Sequence, residues 1–183
     1  MRNLVKINVK SVVSVIAGTA IFAWMFMYVK LPTGIPNTDI QMACGIGAFF
    51  SAVMGPVAGA VISFVGHAIS DTLQSGSPWW SWVIASGVAS YVTGLVYPKL
   101  KNKFGNFERN DVIRFNIFQI AGNIFAWVII APVLDMLIYS EGMKLAFTQG
   151  IVAAISNSMA TGVIGTVLLE IYNKMQKRDN KTA

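Results

Sequence analysis

The chain has 183 residues, of which 55% are hydrophobic and only 12% charged, with a formal net charge of +6 and a mean hydropathy of +0.59. A soluble domain carries about 25% charged residues, so this composition excludes an ordinary soluble enzyme and points to one domain solvated largely by lipid. The basic balance would suit a nucleic-acid binder only if it gathered on one soluble face, and its placement along the chain argues against that partner.

Apolar segments divide the chain into six expected helices, at about 7–31, 40–54, 57–73, 79–97, 112–134 and 144–172. The expected fold is an all-α integral membrane protein, a six-transmembrane-helix bundle in which residues 1–183 form a single membrane domain. The first segment follows Arg2, Lys6 and Lys10, as a secretory signal would. It is longer than a signal core and carries Trp24, Phe26 and Tyr28 where small cleavage-site residues belong, so it reads as a retained helix. Pro32, Gly34 and Pro36 end it. The second and third segments are separated by Gly55-Pro56 and are short for a crossing, which needs about 20 residues. They read as tilted, bent, or a buried hairpin.

The stretch Gln74-Ser75-Gly76-Ser77-Pro78 is a loop by composition, and the fourth segment opens on Trp79-Trp80-Ser81-Trp82. It closes at Pro98 and a basic loop, the fifth has Pro132 near its end, and the sixth runs into a basic tail. With both termini inside (N-in/C-in), 12 of the 14 Lys and Arg fall at inner ends, and only Lys30 and Lys144 fall outside. The eight acidic residues divide evenly. A Lys/Arg bias without an Asp/Glu bias is the positive-inside pattern.

Familiar catalytic signatures are absent. No Gly-rich phosphate loop is present, the single histidine is His67, and the single cysteine is Cys44, so neither a P-loop nor a metal-ligand spacing exists. No metal, cofactor or catalytic residue is expected. Asp39, Asp71 and Asp135 fall at expected outer ends, which disfavours intramembrane proteolysis by paired aspartates.

Polar groups in apolar helices remain as candidates, because such groups usually face a bundle interior or a cavity. His67 and Asp71 are four apart on one helix face, suiting either a local pair that anchors a loop or a pocket wall. Gln119, Asn123 and Trp127 form a second stripe with spacing four. Amides offer donors and acceptors and an indole offers a flat face, so the stripe suits a polar-edged heterocycle or interhelical bonding. Gln149 and Asn157 are similar candidates on the sixth helix. Trp79, Trp80 and Trp82 form either a lid or an interface anchor, and the loop from Pro36 through Asn37 to Asp39, with Gln41, is a second lid. Small residues recur every four positions at Ala154, Ser158, Gly162 and Thr166, at Ser14 and Gly18, and at Gly55 and Gly59. Such seams pack helices within a chain or against a partner.

The runs Ile35-Pro36-Asn37-Thr38, Gly55-Pro56-Val57-Ala58-Gly59, Gly66-His67-Ala68 with Asp71, and Gly76-Ser77-Pro78-Trp79-Trp80-Ser81-Trp82 resemble the substrate-binding S components of energy-coupling factor (ECF) vitamin transporters. The nearest group is the riboflavin-type or hydroxymethylpyrimidine (thiamine precursor) S component, and the likeness spans the first helix through the sixth. The resemblance implies a vitamin-capture subunit in a prokaryotic plasma membrane, partnered by a transmembrane coupling protein and two cytoplasmic ATPases. It places the substrate near the outer face, under loops that map onto 31–39 and 74–78. It also implies an Ala-x-x-x-Ala docking contact on the first helix, for which Ser14-x-x-x-Gly18 is the nearest match and Thr19-x-x-x-Ala23 the second.

The expected function is therefore substrate capture for an ECF-type ABC importer, with no ATPase of its own. The expected site comprises Asn37, His67, Asp71, Trp79, Trp80, Asn123, Trp127 and Asn157. With amides, indoles and few fixed charges, it favours a neutral or weakly basic heterocycle of the hydroxymethylpyrimidine or thiamine kind, then riboflavin. The alternative is a stand-alone secondary carrier or channel, which the lack of internal repeats and midplane ionisable groups disfavours.

Overall fold

The computed structural model describes residues 9–182. The expected helix start at residue 7 and the basic residues Arg2 and Lys6 lie outside that range. The chain is mostly helical: α1 (Val9–Tyr28), a hairpin of β1 (Lys30–Ile35) and β2 (Thr38–Gln41), α2 (Ala43–Met54), α3 (Pro56–Ser75), α4 (Trp80–Gly94), a single turn α5 (Tyr97–Leu100), α6 (Arg109–Asn123), a π-helical segment (Ile124–Ile130), α7 (Ala131–Tyr139) and α8 (Met143–Thr182). Among the described residues, four stretches are long and apolar enough to cross a membrane: Val9–Tyr28, Pro56–Ser75, Arg109–Tyr139 and Met143–Asn180. The helix Ala43–Met54 is apolar but shorter.

The expectation of an all-α chain misses the hairpin. Pro32 and Gly34 deny this stretch a helix, whereas Thr33, Ile35, Thr38 and Ile40 favour an extended backbone. The strands pair antiparallel, Lys30 opposite Gln41 and Ile35 opposite Thr38, with a register irregularity between Pro32 and Ile35. Asn37 makes the turn at φ 54°, a left-handed conformation that asparagine tolerates. The second helix consequently starts at Ala43 rather than residue 40. The third is longer than expected, because Pro56 at its first turn supplies a preset φ and the helix continues to a left-handed Gly76 cap.

The fifth expected helix is one apolar span of 31 residues, Arg109–Tyr139, interrupted by seven π-helical residues. Pro132 follows after one residue, Ala131. A proline inside a helix lacks the N–H for the normal ladder and crowds the carbonyl four residues back, and a widened turn is one way a helix accommodates that. The sixth helix extends to Thr182, ten residues past expectation. Its far end is tied in by Asn173, whose Oδ1 accepts from the Gly105 and Phe107 amides at 2.6 and 3.2 Å.

The interior is rich in alanine. One cluster joins Ala85, Ala89, Ala126, Trp127, Ala131, Ala153 and Ala154, and others centre on Phe115 and Leu169 and on Phe22 and Ile62. Large apolar residues instead cover the outside, with Ile113, Ile117, Ile120 and Ile124 on one helix and Ile155, Met159, Val163 and Val167 on another all exposed. Small residues within and bulky ones without suit a bundle whose solvent is lipid, where close backbone approach drives packing.

The α8 seam is used inside the chain: Gln119 Nε2 donates to the Ser158 carbonyl at 3.2 Å, and Asn116 Nδ2 to Thr166 Oγ1 at 3.1 Å. The α1 seam is used there in part. A Cβ on Gly18 would sit 2.8 Å from the Phe50 ring, and Ala23 is buried in the core. Ser14 and Thr19 turn their hydroxyls onto the Lys10 and Val15 carbonyls of their own helix.

Candidate functional site

The hairpin is clamped onto α8 by two amides that lie two helical turns apart. Asn157 Oδ1 accepts from the Gln41 amide and Gln149 Nε2 donates to the Pro36 carbonyl, both at 2.9 Å. Beneath the hairpin lies a cavity of about 580 Å³, within the range of about 300–1,000 Å³ typical of small-molecule sites. Its walls come from the end of α1, the hairpin, the end of α3, the start of α4, the π segment, α7 and the first turns of α8.

Of the residues expected from sequence, Asn37, His67, Asp71, Trp79, Trp127 and Asn157 line this cavity. His67 is buried, with Nδ1 2.7 Å from Ser86 Oγ, Nε2 3.4 Å from Asp71 Oδ1, and its ring 4.0 Å from that of Phe26. Asp71 Oδ2 also accepts from the Trp79 amide at 2.9 Å, so the pair anchors the α3–α4 loop as well as lining the wall. Trp80 lies elsewhere: it packs beside Phe64, and its amide donates to the Tyr139 hydroxyl.

Asn123 sits behind the wall. Its Oδ1 accepts from Trp127 Nε1 at 2.9 Å, while its Nδ2 donates to Gln119 O and Oε1 at 2.9 and 3.1 Å. It borders a separate void of about 10 Å³, room for a single water at most. The amide stripe is thus a hydrogen-bonded ladder that consumes the indole N–H and leaves the Trp127 ring to the cavity.

The strongest cluster brings together residues that the sequence reading kept apart. Asp135 is 1% exposed. Its Oδ1 accepts from Trp79 Nε1 at 2.7 Å and from Ser81 Oγ, and its Oδ2 accepts from Trp82 Nε1 at 2.7 Å. Trp79 stacks on Tyr139 with ring centroids 4.4 Å apart, and Trp82 leans on Trp127 at 5.3 Å. Asp135 and Trp82 both line the cavity. The only available signal for them was Trp79, Ser81 and Trp82 crowding one helix start. Nothing local marks an acceptor more than fifty residues away.

Fixed charges are more numerous here than expected. Asp39, Asp71, Asp135 and Glu141 line the cavity, with Lys30 and His67. Lys30 pairs with Asp39 at 3.1 Å. The expectation of few fixed charges fails because the acidic residues at four separate element ends converge when the bundle closes. Among the described residues, no group of three or more metal-type ligands exists.

The fold and site together are those of an apolar helical bundle with an aromatic-walled polar cavity under a hairpin. Residues 6–174 match the family model described as ECF-type riboflavin transporter, S component, and the chain belongs to that family. It is therefore a multi-pass membrane transport subunit of a vitamin-type substrate-binding family. It is 46% identical to a UPF0397 protein of Enterococcus faecalis over 91% of each chain. It is 43% identical to one of Lacticaseibacillus casei, covering 97% of this chain and 96% of the relative. A Staphylococcus aureus UPF0397 protein is 45% identical, with coverage of 93% and 92%. No solved structure matches the chain.

Proposed function

We propose that this chain is the substrate-capturing S component of an ECF-type ABC importer in a prokaryotic plasma membrane. It takes a water-soluble vitamin or precursor into the cavity under the hairpin, at the outer face. A transmembrane coupling protein and two cytoplasmic ATPases supply the energy. The observation that carries this reading is the roomy cavity walled by the Trp79, Trp82 and Trp127 indoles, in a chain belonging to an S-component family.

The reading takes the bundle as six crossings with both termini inside. The basic residues Lys99, Lys101 and Lys103 in the α4–α6 connection and Arg109 at the start of α6 then lie opposite the cavity, as the positive-inside rule requires. Gly18 and Ala23 being used within the bundle, docking falls to the exposed side of α1, where Ala17 and Ala20 allow close approach. A compact nitrogen heterocycle of the hydroxymethylpyrimidine or thiamine kind is the favoured substrate class, since an amide and carboxylate rim suits N–H donors. Riboflavin, the vitamin in the family's description, is second.

The test is to tag the chain in its native host, purify it in mild detergent, and identify co-purifying proteins and bound small molecules by mass spectrometry. Two ATPases and a coupling membrane protein, with a vitamin-like compound, are expected. A lone, folded, ligand-free chain, in detergent that preserves other such complexes, contradicts the proposal.

A further inference from the structure

The cavity has an unbalanced charge. Four carboxylates and one ammonium line it, with one further titratable ring, His67. With His67 neutral, the formal excess is three negative charges. Two carboxylates have partners in the wall: Asp39 has Lys30, and Asp71 has His67 and a backbone amide. Asp135 is different. It is the most buried of the four, and among the described residues no Lys, Arg or His pairs with it.

Its three donors are two indoles and a hydroxyl, all neutral. A carboxylate has about four lone-pair sites, so one remains on the Oδ2 side. Buried charges in proteins are ordinarily paired or coordinated. The start of α4, where Trp79, Ser81 and Trp82 sit, offers a favourable dipole to an anion, but that is a partial charge and leaves the net excess standing.

A second, independent group also lacks a partner. Gln41 is 8% exposed and lines the same cavity. Its Oε1 is buried with no hydrogen-bond partner among the described residues. An orphaned buried acceptor costs about 1–3 kcal/mol, and a ligand N–H would satisfy it. The Trp79, Trp82 and Trp127 rings complete the surroundings, and indole faces attract cations.

We infer that the ligand of this cavity is a cation with an N–H donor, a flat nitrogen heterocycle or amine whose positive charge is set against Asp135 and whose donor meets Gln41 Oε1. This rests on the reading of the cavity as the capture site and adds the charge of what is captured.

The experiment uses the full chain in lipid nanodiscs, with tryptophan quenching by thiamine and pyridoxamine as cations, hydroxymethylpyrimidine, riboflavin and pyridoxine as neutral probes, and pantothenate as an anion. A cation is expected to bind, and its affinity is expected to fall as salt rises, through screening. Asp135→Asn is expected to weaken that binding by about 30-fold or more. Gln41→Met, an apolar substitution away from the Asp135 clamp, is expected to weaken it by roughly 5-fold or more, which keeps the inference open to test if Asp135→Asn fails to fold. Binding only of a neutral or anionic probe, or cation binding indifferent to both salt and Gln41→Met, overturns the inference and leaves capture intact. No binding by any probe to a folded chain counts against capture itself, and the inference falls with it.

Discussion

Trp127 shows how far a single residue can be read from its spacing. Four-residue steps placed it with Asn123 and Gln119 on one face, and the three do form one ladder. The spacing alone did not say which members face a ligand, since bonded amides look the same from both sides. Asn123→Ala removes the acceptor for a buried indole N–H and is expected to cost about 1–3 kcal/mol, read as lowered thermal stability in detergent. Ligand affinity should fall with it, because the Trp127 ring loses its orientation. Trp127→Phe keeps an aromatic face and removes only the donor, so it should lower stability while largely sparing affinity. A loss of binding with unchanged stability in both variants would place Asn123 in the ligand shell instead. Asp135 was illegible for a physical reason: its three donors lie 53 to 56 residues away, and only packing of α4 against α7 unites them.

At the scale of elements, the six apolar segments all fall on helices, most of their described ends to within a few residues, because long apolar runs between Gly and Pro breakers leave little choice. The hairpin was not, since its four-residue β2 strand carries too few alternations to separate from a loop or helix start. The π segment was equally hidden. Pro132 announces a disturbance, but whether it ends a helix or widens it depends on the neighbours. Here α8 contributes Gly150, where an added Cβ would lie 2.8 Å from the Pro132 ring and would overlap the Trp127 carbonyl. Gly150→Val is therefore expected to push α8 from the π segment at a cost of about 1–3 kcal/mol. The readout is a lower unfolding temperature together with weaker ligand quenching of Trp127. Wild-type stability and quenching would show that the close approach is dispensable.

Over the whole molecule, composition and the Lys/Arg bias were sufficient for a membrane bundle, and the motif runs were sufficient for the family. The cavity itself needed the closed bundle, because its walls come from seven parts of the chain. Orientation is open to direct chemistry. In a Cys44→Ala background, Asn37→Cys in the hairpin turn should react with a membrane-impermeant maleimide on intact cells. Asn106→Cys, in the α5–α6 connection, should react only after lysis. The opposite pattern would invert the bundle and put the cavity on the wrong side for uptake.

The most direct test of the central claim is ligand uptake by cells that contain this chain with and without the coupling protein and its ATPases. The account predicts accumulation against a gradient only when all partners are present and ATP is supplied, with stoichiometric binding and no accumulation when the chain is alone. Accumulation by the chain alone would contradict it and establish a self-sufficient carrier.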